Sequence, residues 1–264
     1  MEVLLLLHQI LASLNDIDML ITAITVPFTV ITGTAFLYRK CKKIIRRKSL
    51  KKILGYDKVV IHIPTRIANE TLGEHRLKPV IAKEDYNTYE RLREVLSDNG
   101  FEVSITYIPA RSDERDRPGE LELSPDCANI VVCGPKNSKT VEDIFTSLEG
   151  LNFAKGTDGW YFEDLVRNKK LSSPLADNNN QYAFCGRVLI GNTRILLICG
   201  IHAIGSDGVA YFLGDTKKLD KLLKIVRKSD FYCIVRSSYG LETKEIYAAD
   251  VTQCMKIFRV GEMI

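Results

Sequence analysis

Three short stretches of this chain gather residue types that could handle an anionic ligand, and each follows an apolar run. Gly200 to Gly208, GIHAIGSDG, holds three glycines, an imidazole and a hydroxyl. Gly200, Gly205 and Gly208 permit close backbone approach. A helix starting near Ser206 would present free N–H groups, which bind anions, phosphate above all. His202 could donate to a phosphate or act as general acid or base, because an imidazole titrates near neutrality. Gly134-Pro135-Lys136-Asn137-Ser138 adds polar donors. Thr65 and Arg66 follow Pro64 and offer a hydroxyl and a bidentate guanidinium fork. The candidate ligand-binding set is Thr65, Arg66, Gly134, Asn137, Ser138, Gly200, His202, Gly205, Ser206 and Gly208.

Each has a plain structural alternative. Glycines also serve tight strand-to-helix turns, and a histidine can be satisfied within the fold. Asn137 and Ser138 could simply cap the next helix, and Arg66 could be a solvated surface residue. Glu84 and Asp85 open a helix, where acids offset the dipole. Trp160, Tyr161 and Phe162 could form a flap over a ring or pack in a core. The glycine spacing matches neither the dinucleotide fingerprint nor the Walker A loop. There is no nucleophile elbow, no HExxH and no paired catalytic carboxylates, so catalysis would rest on His202 and the question of enzyme activity stays open. The seven cysteines show no CxxC or Cys/His ligand spacing. They read as reduced thiols, several inside strands, and no metal site is expected.

The elements that must position these loops are apolar and short. Asp57 to Ile63 and Ala128 to Cys133 read as buried strands, and Thr193 to Cys199 as a strongly apolar central strand paired in a hairpin with Tyr182 to Ile190 across Gly191-Asn192. Phe101 to Ile108 and Phe231 to Ser237 read as strands, with another over Lys244 to Asp250. Ala82 to Asn99 has helical apolar spacing closed by Gly100. Thr140 to Leu148, with Thr140 near its N-cap, a stretch ending at Leu213, and Asp215 to Arg227 complete the helices. Leu151 to Leu175 reads as a loop or short hairpin. Alternation of this kind predicts an α/β fold, Rossmann-like or flavodoxin-like, with a mostly parallel sheet and an antiparallel edge. In such sheets ligands bind outside the carboxyl ends of the strands, where the three loops would converge.

Ahead of this domain lies a different kind of sequence. Met19 to Tyr38 is 20 residues long and uncharged; as a helix it would span about 30 Å, one bilayer core. Nine Lys or Arg follow within residues 39–52, with no acid, which predicts a single pass with the carboxy-terminal part in the cytoplasm at the plasma membrane. The apolar residues 2–14 read as an interfacial helix, with a short first span as the alternative. Thr22, Thr25, Thr29 and Thr32 form a stripe that could be an oligomerisation seam or a pore lining, or could bond their own helix. Pro27 predicts a kink. The expected divisions are a membrane segment over 1–38, a basic juxtamembrane linker over 39–54 and a cytoplasmic domain over 55–264. The total charge is +4. With +9 on the linker and −3 ahead of it, the domain carries −2, which argues against nucleic acid as a partner.

A membrane anchor followed by such a domain resembles the membrane-anchored sensor and effector proteins of bacterial signalling and antiviral defence. The loops CGPKNS and CGIHAIGSDG look like the nucleotide-facing loops of Rossmann-like sensor families, TIR-like and SLOG-like domains among them. No catalytic Glu of the TIR enzymes is identifiable, and the glycine spacing departs from that of SLOG domains. The resemblance implies a nucleotide ligand in the cytosol and a response delivered at the membrane. The expected function is therefore recognition of a phosphate-containing small molecule, coupled to assembly of a homo-oligomer in the bilayer. The alternatives are a tethered enzyme acting on a nucleotide or NAD-like substrate, or a scaffold without ligand.

Overall fold

The computed structural model describes residues 32–67, 79–109, 121–173, 179–191, 193–227 and 229–257. The chain divides into two units, Met1–Ile45 and Arg46–Ile264. Residues 32–45 of the first unit are helical and exposed, Phe36, Leu37 and Tyr38 included. Residues 2–14, and most of the apolar run Met19 to Tyr38 with Thr22, Thr25, Pro27 and Thr29, lie outside the described residues. Among the described residues no helix is long and apolar enough to cross a membrane.

The second unit begins with helical residues 46–54, α1. Leu50, Ile53 and Leu54 fall at helical spacing and are buried, while Lys48, Lys51 and Lys52 face solvent. Part of the stretch expected to be a basic linker is thus an amphipathic helix of the domain; burying side chains of this size is worth about 2 kcal/mol each. The chain continues through β1 (Lys58–Pro64), β2 (Arg66–Ile67), β3 (Pro79–Val80), α2 (Lys83–Asp98), β4 (Glu102–Ile108) and β5 (Ala128–Val132). A single 3-10 turn (Pro135–Asn137) leads to α3 (Lys139–Ser147), β6 (Leu151–Gly156), β7 (Gly159–Asp164) and β8 (Lys169–Ser172). Then come β9 (Asn180–Ile190), β10 (Thr193–Gly200), α4 (Ala203–Leu213), α5 (Thr216–Val226), β11 (Phe231–Tyr239) and β12 (Ile246–Lys256).

Seven strands form the central sheet in the order β12-β11-β9-β10-β5-β1-β4. Strands β10, β5, β1 and β4 pair in parallel, whereas β9 is antiparallel to both its neighbours and β12 to β11. The expected α/β architecture, a mostly parallel sheet with an antiparallel extension at one edge, is present, and that extension is three strands wide. β10 lies fourth of the seven. Leu196 and Ile198 face one side and Ile195, Leu197 and Cys199 the other, all buried, as a strand covered on both faces requires.

Two apolar layers sandwich the sheet. One holds α1, α2, α4 and α5 against Val59, Ile61, Ile63, Ile130 and Val132. The other holds α3 and the separate sheet β6-β7-β8 against Val131, Cys133, Leu197 and Cys199. The stretch Leu151 to Leu175, expected to be a loop or short hairpin, is that three-stranded sheet. Phe153, Phe162 and Leu171 turn inward from it, and Trp160 stacks on Phe153 with ring centroids 5.1 Å apart. The apolar alternation was there to be read, but turns at Thr157-Asp158 and Leu165 to Asn168 divide it into arms too short to stand alone.

Capping follows local chemistry. Asp215 accepts from the amides of Lys217 and Lys218 at 2.9 and 3.2 Å and starts α5. Gly100 follows α2 with φ +79°, the left-handed conformation that closes helices. The N-cap position of α3 is Ser138, two residues earlier than expected, because Lys139 and Thr140 already lie in the helix. α4 begins at Ala203 rather than near Ser206.

Candidate functional site

The order β4-β1-β5 creates a switch point. From β1 the chain passes through α2 on one face to β4; from β5 it passes through α3 on the other face. A crevice opens between the carboxyl ends of β1 and β5, where open α/β sheets bind ligands. A cavity of about 30 Å³ lies there, lined by Pro64, Asp85, Cys133, Gly134, Lys136, Asn137, Gly200, Ala203 and Ser206 among others. The tips of β1, β5 and β10 therefore converge. Room for about two waters suits a phosphate oxygen or a hydroxyl, not a ring.

Of the expected residues, Gly134, Asn137, Gly200 and Ser206 line the cavity. The others do different work. Thr65 ties the end of β1 to β4, its amide and its hydroxyl both donating to the carbonyl of Ile108 at 2.9 Å. Arg66 lies in β2, paired with β3 at Val80. Ser138 is buried at the N-cap position of α3, and its hydroxyl has no hydrogen-bond partner among the described residues. His202 precedes α4 and donates from Nε2 to the carbonyl of Ser173 at 3.0 Å. Burial lowers its pKa, the Ser173 bond opposes this, and the Lys136 charge adds to the lowering. The ring is half-buried and engaged, which suits a structural post.

The three glycines of the last loop are demanded by packing. A Cβ on Gly200 would lie 2.7 Å from the Ser206 amide nitrogen and against the His202 carbonyl. One on Gly205 would lie 2.9 Å from the Tyr182 carbonyl oxygen, and one on Gly208 would overlap the Ser237 side chain. These residues let the start of α4 lie directly on β9, β10 and β11. Gly134 differs: its Cβ would meet only the Cys199 sulfur, at an ordinary 3.4 Å, and its φ is −97°. It is the glycine at the site for which the surrounding protein supplies no steric reason.

Two titratable groups lining the cavity, Asp85 and Cys133, were not read as part of the site. Asp85 sits in the first turn of α2, where an acid reads as a dipole partner, yet it is only 6% exposed and borders the crevice. Its burial depends on α2 meeting the loop after β5, a long-range fact. Cys133 ends β5. Burial, with the nearby Asp85 charge, pushes its thiol up to about 12, so it is no thiolate nucleophile near neutral pH. Lys136 stays exposed at the rim, 5.9 Å from the Trp160 ring centroid.

Behind the crevice, Arg91 of α2 clamps Asp207 of α4, with Nε to Oδ1 at 2.6 Å and Nη2 to Oδ2 at 3.4 Å. This bidentate pair holds together the two helices whose starts border the site. Among the described residues no group of three His, Cys, Asp or Glu could hold a metal ion. Comparison of the chain with protein-family models, curated proteins and solved structures finds no match.

Proposed function

We infer that this chain is a binding module: a Rossmann-like domain that recognises a phosphate-bearing small molecule, a nucleotide by preference, and is anchored at the membrane by residues 19–38. The observation that carries the reading is the convergence of three strand tips and two helix starts on one small polar crevice at the switch point. Its groups sort by chemistry. The first amides of α4, at Ala203 and Ile204, have no intrahelical acceptor and favour an anion. Lys136 adds a mobile cation at the rim, and Asn137 a donor and an acceptor. Asp85 would repel a bare phosphate but accept from a hydroxyl or amino group. A nucleotide offers both kinds of group. One polar edge would enter the crevice and the remainder lie across the rim at Gly134 to Asn137. Binding is favoured over turnover because the two nearby candidates for covalent or acid–base work, Cys133 and His202, are protonated at sulfur and committed to Ser173 respectively. Coupling to the membrane would run through α1, with the carboxy-terminal domain cytoplasmic and the Thr stripe of the span serving assembly.

The test is thermal shift and calorimetry on the 264-residue chain in neutral detergent, against ATP, cyclic nucleotides and NAD, with product analysis. Saturable stabilisation without turnover, weakened about tenfold by Lys136→Ala, is the expected result. Turnover would make the protein an enzyme. Silence with every probe would leave a scaffold and end the proposal.

A further inference from the structure

The opposite end of the sheet carries a larger opening. A cleft of about 550 Å³ lies between the end of α1 and the starts of β5 and β10, lined by Lys52, Tyr56, Cys127, Arg187, Leu189 and Arg194 among others. That volume falls within the range of small-molecule sites, roughly 300–1,000 Å³. None of the described lining residues is acidic.

The cations are built in. Arg187 projects from β9 and its side chain is only 5% exposed. Its Nη1 donates to the Lys52 carbonyl at 2.9 Å, its Nη2 to the Ser229 carbonyl, and its guanidinium lies over the Phe231 ring. Among the described residues its Nε finds no hydrogen-bond partner, and it stands 3.5 Å from Asp230 Oδ1. Arg194 reaches that same oxygen at 2.9 Å from β10, with its side chain half exposed. Two guanidiniums thus share one carboxylate, and Lys52 adds a third positive charge at the mouth. A buried cation that is incompletely neutralised is costly unless something else supplies negative charge. The remaining wall is apolar, with Ile53, Leu54, Leu189 and the exposed ring of Tyr56.

We propose that this cleft is a second ligand site, which takes a phosphate ester bearing an apolar or aromatic group. The phosphate meets Arg194, Arg187 and Lys52, and the apolar part lies along Leu189 and Tyr56. Arginine forks match phosphate geometry, and an aromatic rim offers a stacking face. Two sources carry that chemistry, a soluble nucleotide and the phosphate end of a lipid.

The experiment titrates the 264-residue chain, in neutral detergent, with ATP in one arm and a short-chain phosphatidic acid in the other, following thermophoresis. Saturable, salt-sensitive binding is expected in at least one arm. Arg194→Ala should weaken it about tenfold or more, Arg194→Glu should weaken it further, and Lys224→Ala, an exposed position of α5 outside both sites, should leave binding unchanged. Binding of ATP alone assigns a soluble ligand and binding of the lipid alone a membrane one. Both variants alter a half-exposed side chain, and their unfolding transitions verify the fold. Absence of saturable binding in both arms, or Arg194→Glu leaving every binding component unchanged, overturns the proposal.

Discussion

Replacing Gly200 with alanine tests whether the glycines of the 200–208 loop serve packing. Gly200 does not have positive φ, so alanine can adopt its backbone conformation and the cost is steric. The new Cβ would lie 2.7 Å from the Ser206 nitrogen, 3.0 Å from its hydroxyl and hard against the His202 carbonyl. All three belong to the start of α4, so relief requires that α4 lift from the sheet. The bond from the Gly200 amide to Ser206 Oγ, now 2.9 Å, would lengthen with it. Overpacking of a filled core costs about 1–3 kcal/mol, and a lost hydrogen bond about 1 kcal/mol more. The expected loss is therefore about 3 kcal/mol, or roughly 6–12 °C in Tm for a domain of this size. Urea unfolding followed by Trp160 fluorescence reads it directly. Gly134→Ala is the matched control: its Cβ would make one ordinary contact at 3.4 Å, so stability should stay within about 0.5 kcal/mol while ligand binding at the crevice weakens. If Gly200→Ala is as stable as Gly134→Ala, the packing argument is wrong and the loop has slack that a ligand would fill.

His62 and the thiols supply two further tests. His62 is buried in β1, donates from Nε2 to Asn129 Oδ1 at 2.9 Å, and has no partner at Nδ1 among the described residues. Asn129 Oδ1 also accepts from the Ser124 amide, which orients it for that donor. Burial lowers the His62 pKa below 6.5, the Asn129 bond only partly opposing this. A group whose folded pKa is depressed binds its proton more readily when unfolded, so its contribution is complete above pH 6.5 and is lost as the pH falls through the lower folded value. Urea midpoints should drop between pH 7 and 5, and the drop should shrink in His62→Gln; an equal pH slope in that variant would refute the assignment. Cys133, Cys185, Cys199 and Cys233 are buried and Cys41 is exposed. Iodoacetamide at pH 8 should label Cys41 in the native protein and spare the buried four until urea is added. Native labelling of Cys133 would contradict its raised pKa.

Periodicity carried the elements. TRILLIC has five consecutive apolar positions and could only be covered on both faces, which placed it centrally before any pairing was known. The spacing of Tyr89, Leu92 and Leu96, with Gly100 behind, marked α2 for the same reason: local sterics and burial set the period. The three candidate loops were found by the strand-tip rule, and their tips do meet. Which of their residues face the crevice was not legible, because that depends on register between distant segments. Asp85 reads as a dipole partner until α2 is laid against the loop after β5. His202 reads as a free imidazole until Ser173 is brought beneath it.

The glycines show the same division. Composition alone cannot tell a glycine kept for a ligand from one kept for a neighbour, because both need the same missing Cβ. Only the packed α4, lying against Tyr182 and Ser237, assigned Gly205 and Gly208 to packing and left Gly134 without a steric reason. The basic cleft was wholly a tertiary product. Lys52, Arg187 and Arg194 are scattered over 143 positions and unremarkable in sequence. Sheet order sets β9 beside β10 and lays the end of α1 across them, and only then do their charges add.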